Sequence, residues 1–187
     1  MIPVQEDGYF REQDVFAIRE EDATWADDTW CIKLGISSRG ESVKTGRDQG
    51  VLLDYPHSID IVTRRLEAIK MGRKRNPKKP RPKGGEKIFP ISPAVYRKWW
   101  EWAAKRNGVK QPPHTCRHTA ASHDLYTGYR TQAQILRRGR WQADKSVQRY
   151  AQTHKWALAV AQQSTEVMMR GQAILAKRLP RPTVARE

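Results

Sequence analysis

Cysteine is scarce. Cys31 and Cys116 are the only two in 187 residues, so no disulfide framework exists and a reducing compartment fits. No run of eighteen apolar residues occurs, which excludes a membrane-spanning helix. The first ten residues, MIPVQEDGYF, lack a basic region and an apolar stretch, so they do not read as a secretory signal. There is no internal repeat and no glycine-rich phosphate loop. Phenylalanine is sparse, with three residues, but the seven tryptophans argue against wholesale disorder. Acid is scarce everywhere except at the start. Residues 1–30 carry nine acids against two arginines, whereas residues 31–187 carry 33 bases against 11 acids. The formal charge of +15 points to a polyanionic partner, most often nucleic acid.

The densest basic run is Lys70 to Lys87, with nine Lys/Arg and one acid. Pro77, Pro80, Pro82 and the Gly84-Gly85 pair predict a non-helical loop. It reads as a phosphate-contacting loop, a nuclear localisation signal or a solvated loop. A short helix is predicted over 9–20, strands over 29–36 and 51–53, and a helix opening at Pro56. Ile59, Val62, Leu66 and Ile69 form one apolar stripe of that helix. Ser92-Pro93 is an N-cap with Pro at the first helical position, and Val95, Trp99 and Trp102 share one face of the helix that follows. Helices are expected over 114–127, 131–138 and 144–151, then a helical tail over 155–178. The fold class is α+β, mostly α, with a small antiparallel sheet near the N-terminus.

His114-Thr115-Cys116-Arg117-His118 is the first unusual cluster. His114 and Arg117 lie at i, i+3, so one anion can face both. Zinc is disfavoured, because neither CxxC nor HExxH spacing is present around His114, Cys116, His118 and His123. Downstream lie Gly139-Arg140-Trp141 and, nine residues after Trp141, Tyr150. Upstream, Arg11 is followed at i+3 by Asp14, and a basic turn carries Lys44.

This ordered set resembles the tyrosine recombinase (phage-integrase-like) family, whose catalytic domain carries an Arg, a hairpin Lys, a His-x-x-Arg, a His or Trp, and a nucleophilic Tyr. Arg11 is similar to the first arginine and Lys44 to the hairpin lysine, with Lys33 and Arg47 as other bases in that region. His114 and Arg117 match the His-x-x-Arg box, Trp141 the His/Trp position and Tyr150 the nucleophile. The stretch GRWQADKSVQRY looks most like the eukaryotic mobile-element branch, such as Crypton-like recombinases. The match covers residues 8 to about 154.

The resemblance implies a site-specific recombinase that cleaves and rejoins double-stranded DNA through a covalent 3′-phosphotyrosine. Arg11 and Arg117 would offset charge on the phosphate, since a guanidinium stays ionised and presents a planar fork. Trp141 would donate its indole N–H or sit in the core. His114 would act as base and Lys44 as acid. No cofactor and no metal are implied. Arg130, Arg137, Arg138, Arg140, Lys145 and Arg149 are expected to contact the DNA backbone. Residues 1–154 are expected to form the catalytic domain and 155–187 a helical tail that docks on another subunit or packs within its own. Localisation would be nuclear in a eukaryote and otherwise cytoplasmic or nucleoid-associated, and not secreted.

Arg11 lies only ten residues from Met1. The family's first helices and DNA-clamping domain are therefore expected to be absent, leaving core faces under-covered. The competing readings are a catalytically inactive DNA-binding remnant and, less favoured, a type IB topoisomerase-like enzyme.

Overall fold

The structure is a computed structural model that describes residues 1–41, 46, 48–106, 108, 111–142, 145 and 153–178. Helix α1 (Ile2–Asp7) opens the chain, with Pro3 in its first turn. Helix α2 (Glu12–Ala17) follows, so the single helix expected over 9–20 is two. The break lies at Gly8-Tyr9-Phe10. Tyr9 takes a left-handed φ of 47° and is fully buried, and tertiary contacts hold it there. Asp14 then accepts the Arg11 backbone N–H at 2.9 Å, capping α2.

Strands β1 (Ala23–Ala26), β2 (Thr29–Leu34) and β3 (Gln49–Leu52) form one antiparallel sheet in the order β1-β2-β3. Two of these match the expected strands, and β1 was not foreseen. Its register places Trp25 opposite Trp30, and the two rings meet edge-on at 5.0 Å. Ile32 and Leu34 alternate inward around exposed Lys33.

Helix α3 (Pro56–Arg75) starts at its proline as expected but extends six residues into the basic run. The first proline after it is Pro77, and nothing before that blocks the helix. Lys, Arg and Met are good helix formers, and Arg73, Lys74 and Arg75 suit a helix C-terminus. Val62 and Leu66 turn toward the sheet. They join Val4, Phe10, Val15, Ile18, Ile32, Leu53, Ile88 and Phe89 in the main core. Val15, Ile32, Leu53 and Val62 have no exposed surface, so the faces expected to stay open are covered.

Helix α4 (Pro93–Arg106) turns the Trp99–Trp102 face outward. Trp99 and Trp102 are 65% and 66% exposed. The inward residue is Tyr96, whose hydroxyl donates to Gln5 Oε1 at 2.9 Å. Its ring meets Phe16 edge-on at 5.5 Å. Helices α5 (Thr115–Tyr126) and α6 (Gln132–Gly139) come next. Thr131 and Gln134 form a reciprocal capping box at the start of α6. The tail is two helices, α7 (Thr153–Ala161) and α8 (Thr165–Arg178), instead of one. The side chain of Ser164 caps the second by accepting the Val167 N–H. Among the described residues, no helix is long and apolar enough to cross a membrane.

Candidate active site

The N-terminal turn of α5 and the C-terminal turn of α6 face the Gly8–Arg11 segment. Arg117 is buried between them. Its Nη1 donates to the Tyr9 carbonyl at 2.7 Å, and its Nη2 donates to the Gly139 carbonyl. The guanidinium lies over the Trp141 ring, 4.9 Å from the centroid. Trp141 in turn stacks on Tyr9, with centroids 6.2 Å apart and planes 27° from parallel. Gly139 makes this possible. A Cβ there would lie 2.5 Å from the Trp141 ring.

Arg140 ends α6 in the left-handed conformation, φ 53°, normally a glycine position. Its guanidinium reaches the Gly8 and Tyr9 carbonyls, both at 3.2 Å, and Asp14 at 3.4 Å. Burial, partly opposed by Asp14, holds Arg140 below the usual guanidinium range, at about 10. Arg11 adds positive potential beside it. Arg11 is half-buried, and its side chain makes no hydrogen bond among the described residues. Three guanidiniums therefore gather on one short turn with Asp14 as the neighbouring acid.

His114 stands exposed at the N-cap of α5, one turn from Arg117. Its ring meets that of His118 edge-on at 5.7 Å. Burial first, then the charges of His114 and Arg117, push His118 down to about 4, so His118 is neutral at pH 7.

The structure thus brings together Arg11, Arg117 and Trp141, with His114 one turn away. Lys44, Tyr150 and Arg149 lie outside the described residues. Arg137 and Lys145 are exposed, consistent with a surface role. Three of the residues expected at the DNA backbone, Arg130, Arg138 and Arg140, have partners within the chain. Arg130 pairs with Asp124 and Asp54, and Arg138 with Asp7 and Asp54. Arg140 is committed to Asp14 and the Gly8–Tyr9 main chain. All three face inward and hold the fold under the site.

That inward network was not legible beforehand. Asp124 has no exposed surface and accepts from the hydroxyls of Tyr9 (2.5 Å) and Tyr55 (2.9 Å) as well as from Arg130. Burial opposes its ionisation, but His123, Tyr9 and Arg130 outweigh it and keep the carboxyl below its ordinary value. Asp7 accepts the backbone N–H groups of Asp54 and Tyr55 and a hydrogen bond from Arg138. The network ties the Tyr9 turn, the β3–α3 junction, α5 and α6 into one support.

No protein-family model matches the chain, and no curated protein matches it in sequence. Solved structures match it in fold. The XerH site-specific recombinase bound to palindromic difH substrate, a post-cleavage complex, superposes with a TM-score of 0.59 at 16% identity. The match covers 86% of this chain and 43% of that one. A pre-cleavage complex of XerH bound to difH substrate gives 0.57 at 14% identity over 80% and 40%. XerA recombinase gives 0.52 at 14% identity over 96% and 56%. The chain spans about half or less of the length of these proteins. The likeness is one of fold, a mostly helical unit with a small antiparallel sheet as in recombinase catalytic domains. It does not reach the Crypton-like branch.

Proposed function

We propose that the chain is the catalytic unit of a site-specific tyrosine recombinase that cuts and rejoins double-stranded DNA. One observation carries the reading. On a recombinase-like fold, Arg117 of the His-x-x-Arg box and Trp141 pack against the turn that bears Arg11, which gathers positive charge on one short turn.

In this reading Arg11 and Arg117 offset the charge that builds on the non-bridging phosphate oxygens. Removing one such preorganised donor slows the step by roughly 10²–10³. The Tyr150 oxygen attacks phosphorus, and a 3′-phosphotyrosyl bond forms as the bond to the 5′-oxygen breaks. A phenol has a pKa of about 10, so its proton needs an acceptor, and His114 supplies one. Lys44 gives a proton to the departing 5′-oxygen. The covalent bond conserves the phosphodiester energy, so rejoining is the same step reversed. Arg137, Lys145 and Arg149 hold the DNA backbone through salt-sensitive contacts. The exposed Val167, Met168 and Met169 of α8 give the tail an apolar surface with which to dock on a second copy.

The test uses a pool of nicked duplexes with a randomised core. Wild type should form an SDS-resistant protein–DNA adduct. Tyr150→Phe should form none, and Arg117→Ala should form it about 10²–10³ more slowly. Salt-sensitive DNA binding with no adduct from any duplex would overturn the cleavage reading in favour of an inactive DNA-binding remnant.

A further inference from the structure

The basic run Lys70–Lys87 folds back on the acidic N-terminal region and pairs several of its cations there. Arg73 pairs with Glu20. Arg81 pairs with Glu20 at 3.2 Å and Glu21 at 2.7 Å, and Lys79 with Glu86 at 2.9 Å. Gly84-Gly85 allows this close approach. Both take positive φ, and a Cβ on Gly85 would lie 2.2 Å from the Glu20 side chain.

Beside these pairs, donor atoms of three cations stay open among the described residues. Arg65 uses only its Nε, donating to the Ile88 carbonyl at 2.9 Å, and its two Nη groups make no hydrogen bond among the described residues. Lys87 makes no side-chain hydrogen bond or ion pair among them. Arg73 Nε is buried with no hydrogen-bond partner. A buried donor left unpaired is expected to find a ligand, ion or water.

These three side chains line one pocket of about 370 Å³ between the C-terminal half of α3 and the 76–90 loop. Its lining includes Ile69, Pro80 and Pro90, and its one acid, Glu86, is held by Lys79. The helix C-terminus explains cations at Arg73 to Arg75. It does not explain Arg65, near the middle of α3, or Lys87, beyond the loop. None of the lining residues belongs to the candidate active site.

We propose that this pocket is a second anion site that takes a nucleotide phosphate, with Arg65, Arg73 and Lys87 as its donors and Ile69, Pro80 and Pro90 beside the ester group. The phosphate comes either from a nucleic-acid backbone or from a free nucleotide. The site needs no strand cleavage, so it stands or falls apart from the recombinase reading.

The experiment titrates the full chain with inorganic phosphate, with deoxyadenosine 5′-monophosphate and with a 20-base-pair duplex at several salt concentrations. Lys87→Ala and Arg65→Gln are compared with Lys98→Ala, a charge loss on exposed α4 outside the pocket. Circular dichroism confirms that each variant is folded. Wild type should bind phosphate saturably, and each pocket variant should weaken it about tenfold, the effect of one charge-assisted hydrogen bond. Lys98→Ala should leave it unchanged. A backbone source predicts that Lys87→Ala also lowers duplex affinity, with the salt slope reduced by about 1. A free-nucleotide source predicts weaker mononucleotide binding and unaltered duplex binding. The proposal is overturned if wild type shows no saturable phosphate binding, if neither pocket variant weakens it, or if Lys98→Ala weakens it equally.

Discussion

Asp124→Asn perturbs the support beneath the candidate site without changing side-chain volume. Asp124 is fully buried and accepts from Tyr9, Tyr55 and Arg130. The asparagine keeps one carbonyl oxygen but loses the charge that faces Arg130. Removing one partner of a buried ion pair typically costs about 3–5 kcal/mol. Arg130 retains Asp54, which places the ionic loss near the low end. One tyrosine hydroxyl then faces an amide N–H instead of a carboxylate, which adds about 1 kcal/mol. The expected destabilisation is therefore about 4 kcal/mol, a large part of the roughly 5–15 kcal/mol of an ordinary domain. Urea unfolding at pH 7 reads it, and Tyr55→Phe gives a milder point on the same scale. A double-mutant cycle with Arg130→Met should show coupling of about 2 kcal/mol or more. The pH arm has a definite sign. A depressed folded pKa contributes stability that is present above the ordinary aspartate value and is lost as pH falls through the folded value. Wild type should therefore lose this contribution below about pH 4, and Asp124→Asn should lack that step. A variant within 1 kcal/mol of wild type at pH 7, or additive energies in the cycle, would refute the reasoning.

Two other perturbations follow from the same geometry. Gly139→Ala places a methyl group 2.5 Å from the Trp141 ring and forces the ring off Arg117. It should destabilise by about 1–3 kcal/mol and change the near-ultraviolet dichroism of the tryptophans, and an unchanged spectrum would contradict it. Glu6 is raised to about 7 by burial, an effect that His123 partly opposes. The folded chain therefore holds a proton that the unfolded chain has lost between about pH 4.5 and 7, and this contribution to stability declines as pH rises through that window. Glu6→Gln should flatten the decline and gain about 1–3 kcal/mol at pH 8, read by urea unfolding.

Local signals in the sequence carried much of the fold. The Ile32–Leu34 alternation, Pro56 and the Ser92-Pro93 start are properties of neighbouring residues, and the elements they mark are present. The α1–α2 break was hidden because Tyr9 takes its left-handed backbone from distant contacts. The α4 periodicity identified a helix face but not which side the core would cover. The acids that Arg138 and Arg130 meet within the chain were hidden, because a charge reveals nothing of its partner. Arg138 meets Asp7 across 131 positions of chain. The acidic first thirty residues prove to be countercharge, with Asp7, Glu20 and Asp22 pairing with Arg138, Arg73 and Arg39. For the candidate site, the order Arg11, Arg117, Trp141 was legible as a motif. Arg140 was not, since its role rests on a left-handed helix end and on burial.

In the proposed reaction Tyr150 is the nucleophile served by the Arg117–Trp141 cluster. Mass spectrometry of the peptides left after nuclease digestion of a trapped protein–DNA adduct tests it most directly. A nucleotide-modified peptide at Tyr150, reduced in yield in Arg117→Ala, is the expected result. Modification at Tyr126 or Tyr129, or an undiminished yield in Arg117→Ala, would contradict it.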